Sequence, residues 1–223
     1  MKRKLKIEIG LAVLLLLIAL FGSFLAPYDP LKVNYDFSLQ PPSFLHIFGT
    51  DKLGRDVFSR ILCGAKTSFG LTFLMLFLIV FIGMIVGLIA GLSNDKVESF
   101  FNNIINGLLA FPDTIFAIAI VGIVGAGLFN TVFALALIWW TKYARLTLAL
   151  VKQEKKKNYL VMAQMSGVPT LQRIIRYLLP NILSQILVTA FLDIGNMMIS
   201  LAGLSFLGLA SQPPQPEWGA MLY

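Results

Sequence analysis

Long apolar runs separated by short charged stretches dominate the chain. A helix crossing a bilayer needs about 20 mostly apolar residues, at about 1.5 Å per residue through a core of about 30 Å. The first such run, Ile9–Ala26, has 18 residues and no charge, and follows the basic head Met1-Lys-Arg-Lys-Leu-Lys6. A cleaved secretory signal starts similarly, but this run is longer than the usual apolar region of one. Its exit, Gly22-Ser-Phe-Leu-Ala26, also lacks an A-x-A site, so the run reads as a retained helix. The second run, Thr67–Asn94, has 28 residues without a charge. The third, Ser99–Val124, is interrupted by Pro112 and Asp113. The fourth, Thr131–Leu150, carries Trp139, Trp140 and Tyr143 near one end, where aromatic residues suit the headgroup zone. The fifth, Ile182–Leu209, carries Asp193. Five spans are predicted, with a glycine-rich turn at Gly122–Gly127 between the third and fourth.

Composition agrees with that reading. The 223 residues are 57% hydrophobic and 13% charged, against about 25% charged in soluble domains. Lipid is therefore the expected solvent. The net charge of +7 is unevenly placed, which argues for topology-setting loops and against a nucleic-acid stripe. With the N-terminus inside, thirteen Lys and Arg fall on the cytoplasmic side and five outside. The expected location is thus the cell (inner) membrane, multi-pass, with a cytoplasmic N-terminus. The layout reads as residues 1–66, a helix plus an external loop, and 67–223, a helical domain with an internal loop at 152–180. A single cysteine, Cys63, excludes an internal disulfide framework, and a single histidine, His46, argues against a histidine metal site. No cofactor, metal site or catalytic residue is predicted.

Two stretches outside the spans carry information. In the first, Pro27, Pro30, Pro41 and Pro42 keep the external loop extended. Thr50 or Asp51 can then cap a helix whose apolar face is Phe58, Ile61 and Leu62. This predicts an amphipathic surface helix leading into span two, a lid or brace. In the second, Tyr159–Ser166 forms a short helix, Gly167 permits a tight turn and Pro169 stops the helix. A further helix, Leu171–Leu179, leads to Pro180-Asn181 and span five. Such an exposed element is either a lever held in another protein's groove or a solvated basic loop that only sets topology.

These residues resemble the C-type permease subunit of the dipeptide, oligopeptide and nickel ABC importers, nearly end to end. The resemblance rests on Ala26-Pro-Tyr-Asp-Pro30, Phe48-Gly-Thr-Asp51, Leu53-Gly-Arg-Asp-Val-Phe-Ser-Arg60, Phe111-Pro112 and Tyr143-Ala-Arg145. It continues through Gly167, Leu179-Pro-Asn181, Gly203-Leu-Ser-Phe-Leu-Gly208 and Glu217-Trp-Gly-Ala-Met221. It implies an all-α polytopic bundle of the type I importer kind. Implied partners are a second permease subunit, two ATPase subunits, an extracellular substrate-binding protein and the lipid bilayer, with no nucleic acid. The family's E-A-A-x3-G docking motif aligns with Val161-Met162-Ala163 and Gly167, so only Ala163 and Gly167 match its core letters. The implied ATPase-docking helix holds Tyr159, Met162, Ala163, Gln164 and Gly167. Family members continue past Met221 into a sixth span, so the chain, which stops at Tyr223, resembles a shortened member.

Charges inside apolar runs cost at least about 2.5–3.5 kcal/mol at the bilayer centre and so face a cavity or a partner. Asp113, Asp193 and Asn196 are therefore pathway candidates, with Met197 and Met198 on the same wall. The alternative for both aspartates is that they satisfy free backbone N–H groups or sit near an interface. With no G-x-x-x-x-G-K-[ST], ATP hydrolysis is expected in partner subunits. The leading reading is a transport subunit for peptides, nickel or metal chelates. The alternatives are a non-functional assembly component and an intramembrane enzyme.

Overall fold

A computed structural model describes residues 2–212 and 214–222, with side chains throughout except at 2–5 and 9. The basic head therefore lies largely outside the described side chains. The helices are α1 (Lys2–Leu25), α2 (Val57–Leu92), α3 (Asp95–Leu109), α4 (Asp113–Val124), α5 (Leu128–Lys155), α6 (Asn158–Met165), α7 (Thr170–Arg173) and α8 (Leu179–Phe206). A π-helical turn, Ile174–Leu178, joins α7 to α8. Among the described residues no strand forms; one isolated antiparallel bridge pairs Thr50 with Asp56.

Among the described residues, four helical segments are long and apolar enough to cross a membrane: Lys6–Leu25, Val57–Leu92, Leu128–Lys155 and Thr170–Phe206. The predicted third span, interrupted at Pro112 and Asp113, consists of two helices, α3 and α4, bent by 87°, which make a fifth span if the bent pair crosses as one. Pro112 is the cause, because it has no N–H to continue the α3 ladder. Asp113 then opens α4, where a carboxylate suits the positive end of the helix dipole. At 12 residues, or about 18 Å, α4 alone is too short to span. The predicted separate helix Leu171–Leu179 differs, running on into span five. The π turn sits directly before Pro180, whose missing N–H removes one ladder bond. Just past the proline, Asn181 Nδ2 donates to the Tyr177 carbonyl at 2.6 Å.

The chain divides into two compact units. The first comprises Met1–Phe73, Gly125–Thr131 and Met198–Tyr223. In it, residues 26–56 form a folded loop pinned to the start of α2. The predicted cap at Thr50 or Asp51 is not made. Asp56 caps instead, its Oδ2 accepting from Ser59 N at 2.8 Å and Ser59 Oγ at 2.6 Å, so α2 begins ten residues before the predicted span. His46 Nδ1 bonds the other oxygen of Asp56 at 2.9 Å. Gly54 sits at φ +71°, and a Cβ there would lie 1.7 Å from the Asn34 carbonyl oxygen, so no other residue fits. The segment near residue 217 folds back on the same unit. Buried Glu217 accepts from Ser68 Oγ at 3.1 Å and Ala220 N at 2.9 Å, and Trp218 Nε1 donates to the Ile61 carbonyl at 3.0 Å.

The second unit comprises Leu74–Val124 and Val132–Met197. Its packing rests on a glycine stripe, Gly83, Gly87 and Gly91, one turn apart along α2. A Cβ at Gly83 would lie 2.6 Å from Tyr143 Cβ, at Gly87 2.5 Å from Thr147 Cβ, and at Gly91 2.7 Å from Val151 Cγ1. Small residues at this spacing let two helix backbones approach within a membrane, where van der Waals contact replaces the hydrophobic effect. The amphipathic α3 offers its polar face to α5. Lys152 Nζ bonds Glu98 at 2.5 Å, and Arg145 donates to Asn106.

Candidate functional site

The tight α2–α5 contact buries Tyr143 completely, so this ring is not the headgroup anchor predicted for it. Its hydroxyl donates to Asp193 Oδ2 at 2.9 Å. Lys142, the preceding residue on α5, donates from Nζ to both Asp193 oxygens at 2.7 Å. The Asp193 side chain is 6% exposed and that of Lys142 49% exposed. Asp193 is thus held by side chains, not by the free backbone N–H groups proposed above. In the sequence Lys142 reads only as a topology charge. The available signal was its opposite sign to Asp193, both lying in apolar runs.

This ion pair forms one wall of a cavity of about 270 Å³. Asp113, Asn196 and Trp139 also line it, so the three polar pathway candidates meet in one place. Asp113 Oδ1 accepts from Thr114 N at 2.7 Å and Thr114 Oγ1 at 3.3 Å. The Trp139 indole N–H is buried without a partner among the described residues. The cavity therefore brings together two carboxylates, one ammonium and the Asn196 amide. The two methionines do not join this wall: Met197 is fully buried, and Met198 lines a different cavity, in the first unit.

The segment after α5 is anchored through Glu154. This carboxylate accepts from Lys157 Nζ at 2.6 Å and from the Tyr159 hydroxyl. Burial, then the hydrogen bond to Glu154, pushes the Tyr159 phenol up to about 12. Leu160 and Ala163 pack inward from α6. Ala163, the matching motif alanine, thus supports the helix from behind, while Val161, Met162 and Met165 are 45%, 66% and 83% exposed. Gln164 is exposed as well. Gly167 ends α6 at φ +74°, its N–H bonding the Gln164 carbonyl while Val168 N bonds that of Ala163. This is a Schellman cap, which requires a left-handed residue at that position.

Comparison with known proteins decides the family. Residues 80–222 match the family described as binding-protein-dependent transport system inner membrane component. Residues 9–42 match the N-terminal TM domain of oligopeptide transport permease C. The di/tripeptide transport system permease protein DppC of Pseudomonas aeruginosa (strain UCBPP-PA14) is 40% identical over 96% of this chain and 73% of its own length. The chain belongs to the binding-protein-dependent permease family. The nickel transport system permease protein NikC of Escherichia coli (strain K12) is 34% identical, over 94% of this chain and 76% of its own. The glutathione transport system permease protein GsiD of Shigella flexneri serotype 5b (strain 8401) is 40% identical, over 94% and 70%. The permease is therefore an inner-membrane component of an ABC importer, a family that works with ATPase and binding-protein partners.

Proposed function

We propose that the permease forms one half of an ATP-driven import pathway for peptides, nickel or metal-chelate complexes, and that α6 couples it to an ATPase subunit. The other half is a second permease subunit, two ATPases supply the work, and an extracellular binding protein delivers the solute. The excess of Lys and Arg around residues 142–176 supports a cytoplasmic α6 and N-terminus.

The observation that carries this reading is the exposed apolar stripe of α6. Val161, Met162 and Met165 project from a helix clamped at one end by Glu154 and closed at the other by Gly167. A helix with such an exposed apolar face fits a partner's groove, and methionine adapts to an uneven one. Moving α6 would then tilt α5 and α8, which carry Lys142 and Asp193. The names of the relatives, for di/tripeptides, nickel and glutathione, support the solute classes. The cavity between Asp113 and Asp193 supports a weak, charge-bearing contact on the way through.

The test is uptake by vesicles holding the permease with its partner subunits. Met162→Asp should lower ATP-driven uptake at least tenfold while the chain still inserts. Wild-type uptake by that variant would refute coupling through α6.

A further inference from the structure

We propose that the permease holds a second polar site, a carboxylate pocket built from Arg55 and Arg60 in the folded loop. As a solute site it rests on the import reading above, and it narrows the solute to one bearing a carboxylate on an apolar body. Both arginines are almost fully buried, at 8% and 5% exposed. They share one counter-ion: Asp51 Oδ2 lies 2.7 Å from Arg55 Nε and 3.5 Å from Arg60 Nε. The other Asp51 oxygen is already committed to the N–H groups of Leu53 and Arg55, at 2.9 and 3.0 Å. Arg60 spends Nη1 on the carbonyls of Pro30 and Pro214, at 3.0 and 3.4 Å. Nη1 of Arg55 is buried with no acceptor among the described residues.

Two guanidinium groups therefore meet one carboxylate, and a buried donor goes unused. An orphaned buried donor costs about 1–3 kcal/mol, more when charged. A second carboxylate would balance the second guanidinium and fits the planar fork of arginine.

The size and walls of the space decide what carries the carboxylate. Both arginines line a cavity of about 450 Å³, whose other walls include Leu39, Leu53, Met221 and Leu222. Small-molecule sites of about 300–1,000 Å³ with mostly apolar walls and a few fixed polar groups hold whole ligands. A protruding Asp or Glu side chain from another protein would leave most of this volume empty. A short peptide with an apolar residue at its C-terminus fills it, its terminal carboxylate on Arg55 and its side chain against Leu39 and Met221.

The test uses the full chain in nanodiscs and calorimetric titration with the dipeptide alanyl-phenylalanine. Its C-terminal amide is the control. The acid should bind at least tenfold more tightly than the amide. Gln215→Glu, on the pocket wall, brings in a carboxylate of its own and should cost the acid at least tenfold while melting as wild type. Arg55→Lys keeps the charge, loses the fork, and should weaken the acid alone. Equal binding of acid and amide, no binding of the acid, or an unaffected Gln215→Glu variant would each overturn the proposal. ATPase co-purification, measured on the same samples, separates the two readings. Recruitment of an ATPase without acid selectivity sinks this site alone. Acid selectivity without recruitment leaves the pocket standing and sinks its role in import.

Discussion

Removing either partner of the Lys142–Asp193 pair should cost stability, but by unequal amounts. Lys142→Met strands Asp193, which is 4% exposed and, among the described residues, keeps only the Tyr143 hydroxyl as a side-chain donor. Breaking a buried pair in this way costs about 3–5 kcal/mol. Asp193→Asn leaves a half-exposed ammonium that can turn into the neighbouring cavity, and the new amide oxygen still accepts from Tyr143. The loss then resembles a weakened hydrogen bond, about 1–3 kcal/mol. The double variant Lys142→Met with Asp193→Leu removes both charges and should recover most of the loss, since an apolar replacement of a buried pair is often neutral. Reversible unfolding in a detergent–SDS titration reads all three. An Asp193→Asn loss larger than that of Lys142→Met, or a double variant worse than either single one, would refute the reasoning.

Three further outcomes follow from the packing. Gly87→Leu should separate α2 from α5, because even one methyl would meet Thr147 Cβ at 2.5 Å and the Ala144 carbonyl at 2.6 Å; the expected result is an SDS-unfolding midpoint below that of every single variant above. Gly167→Pro cannot adopt φ +74° and loses the N–H of the Schellman cap, so ATPase stimulation should vanish while membrane insertion, read by alkaline extraction, stays intact. Burial pushes the Asp51 carboxyl up, but hydrogen bonds from Arg55 and from Leu53 N outweigh it and hold the group below its usual value. A lowered folded pKa contributes stability that is present above the unfolded value, about 3.9, and lost as pH falls through the folded one. Asp51→Asn should therefore flatten the acid limb of a stability–pH profile, which circular dichroism can follow.

Much of this architecture is legible because burial in lipid demands long uncharged runs. The run from Thr67 to Asn94 became the body of α2, and the reading of Tyr159–Ser166 as a short helix lies within a residue of α6. What escaped is set by contacts between distant residues. The interruption at Pro112 was legible, but the size of the bend, 87°, was not, since a missing N–H marks a break without setting its angle. Lys142 read as a topology charge because its partner lies 51 positions away. The Gly83–Gly87–Gly91 stripe carried a visible small-residue period, but its meaning depends on α5 lying opposite. The cap on α2 fell to Asp56, directly before Val57, while Asp51 is committed to Arg55 and Arg60. Among the site residues, the exposed face of α6 was accessible only from the helix's orientation, which turns the motif residue Ala163 inward and Met165 outward.

The account turns on α6 being the part of the permease that an ATPase grips. Site-directed cross-linking tests this directly, with a single cysteine at Met165 in a Cys63→Ser background and the ATPase subunit carrying cysteines around its groove. The expected result is a cross-linked permease–ATPase pair whose yield changes when ATP is bound, with no product from a cysteine at Ala163. Equal cross-linking from both positions, or none from Met165 in an importer that still transports, would contradict it.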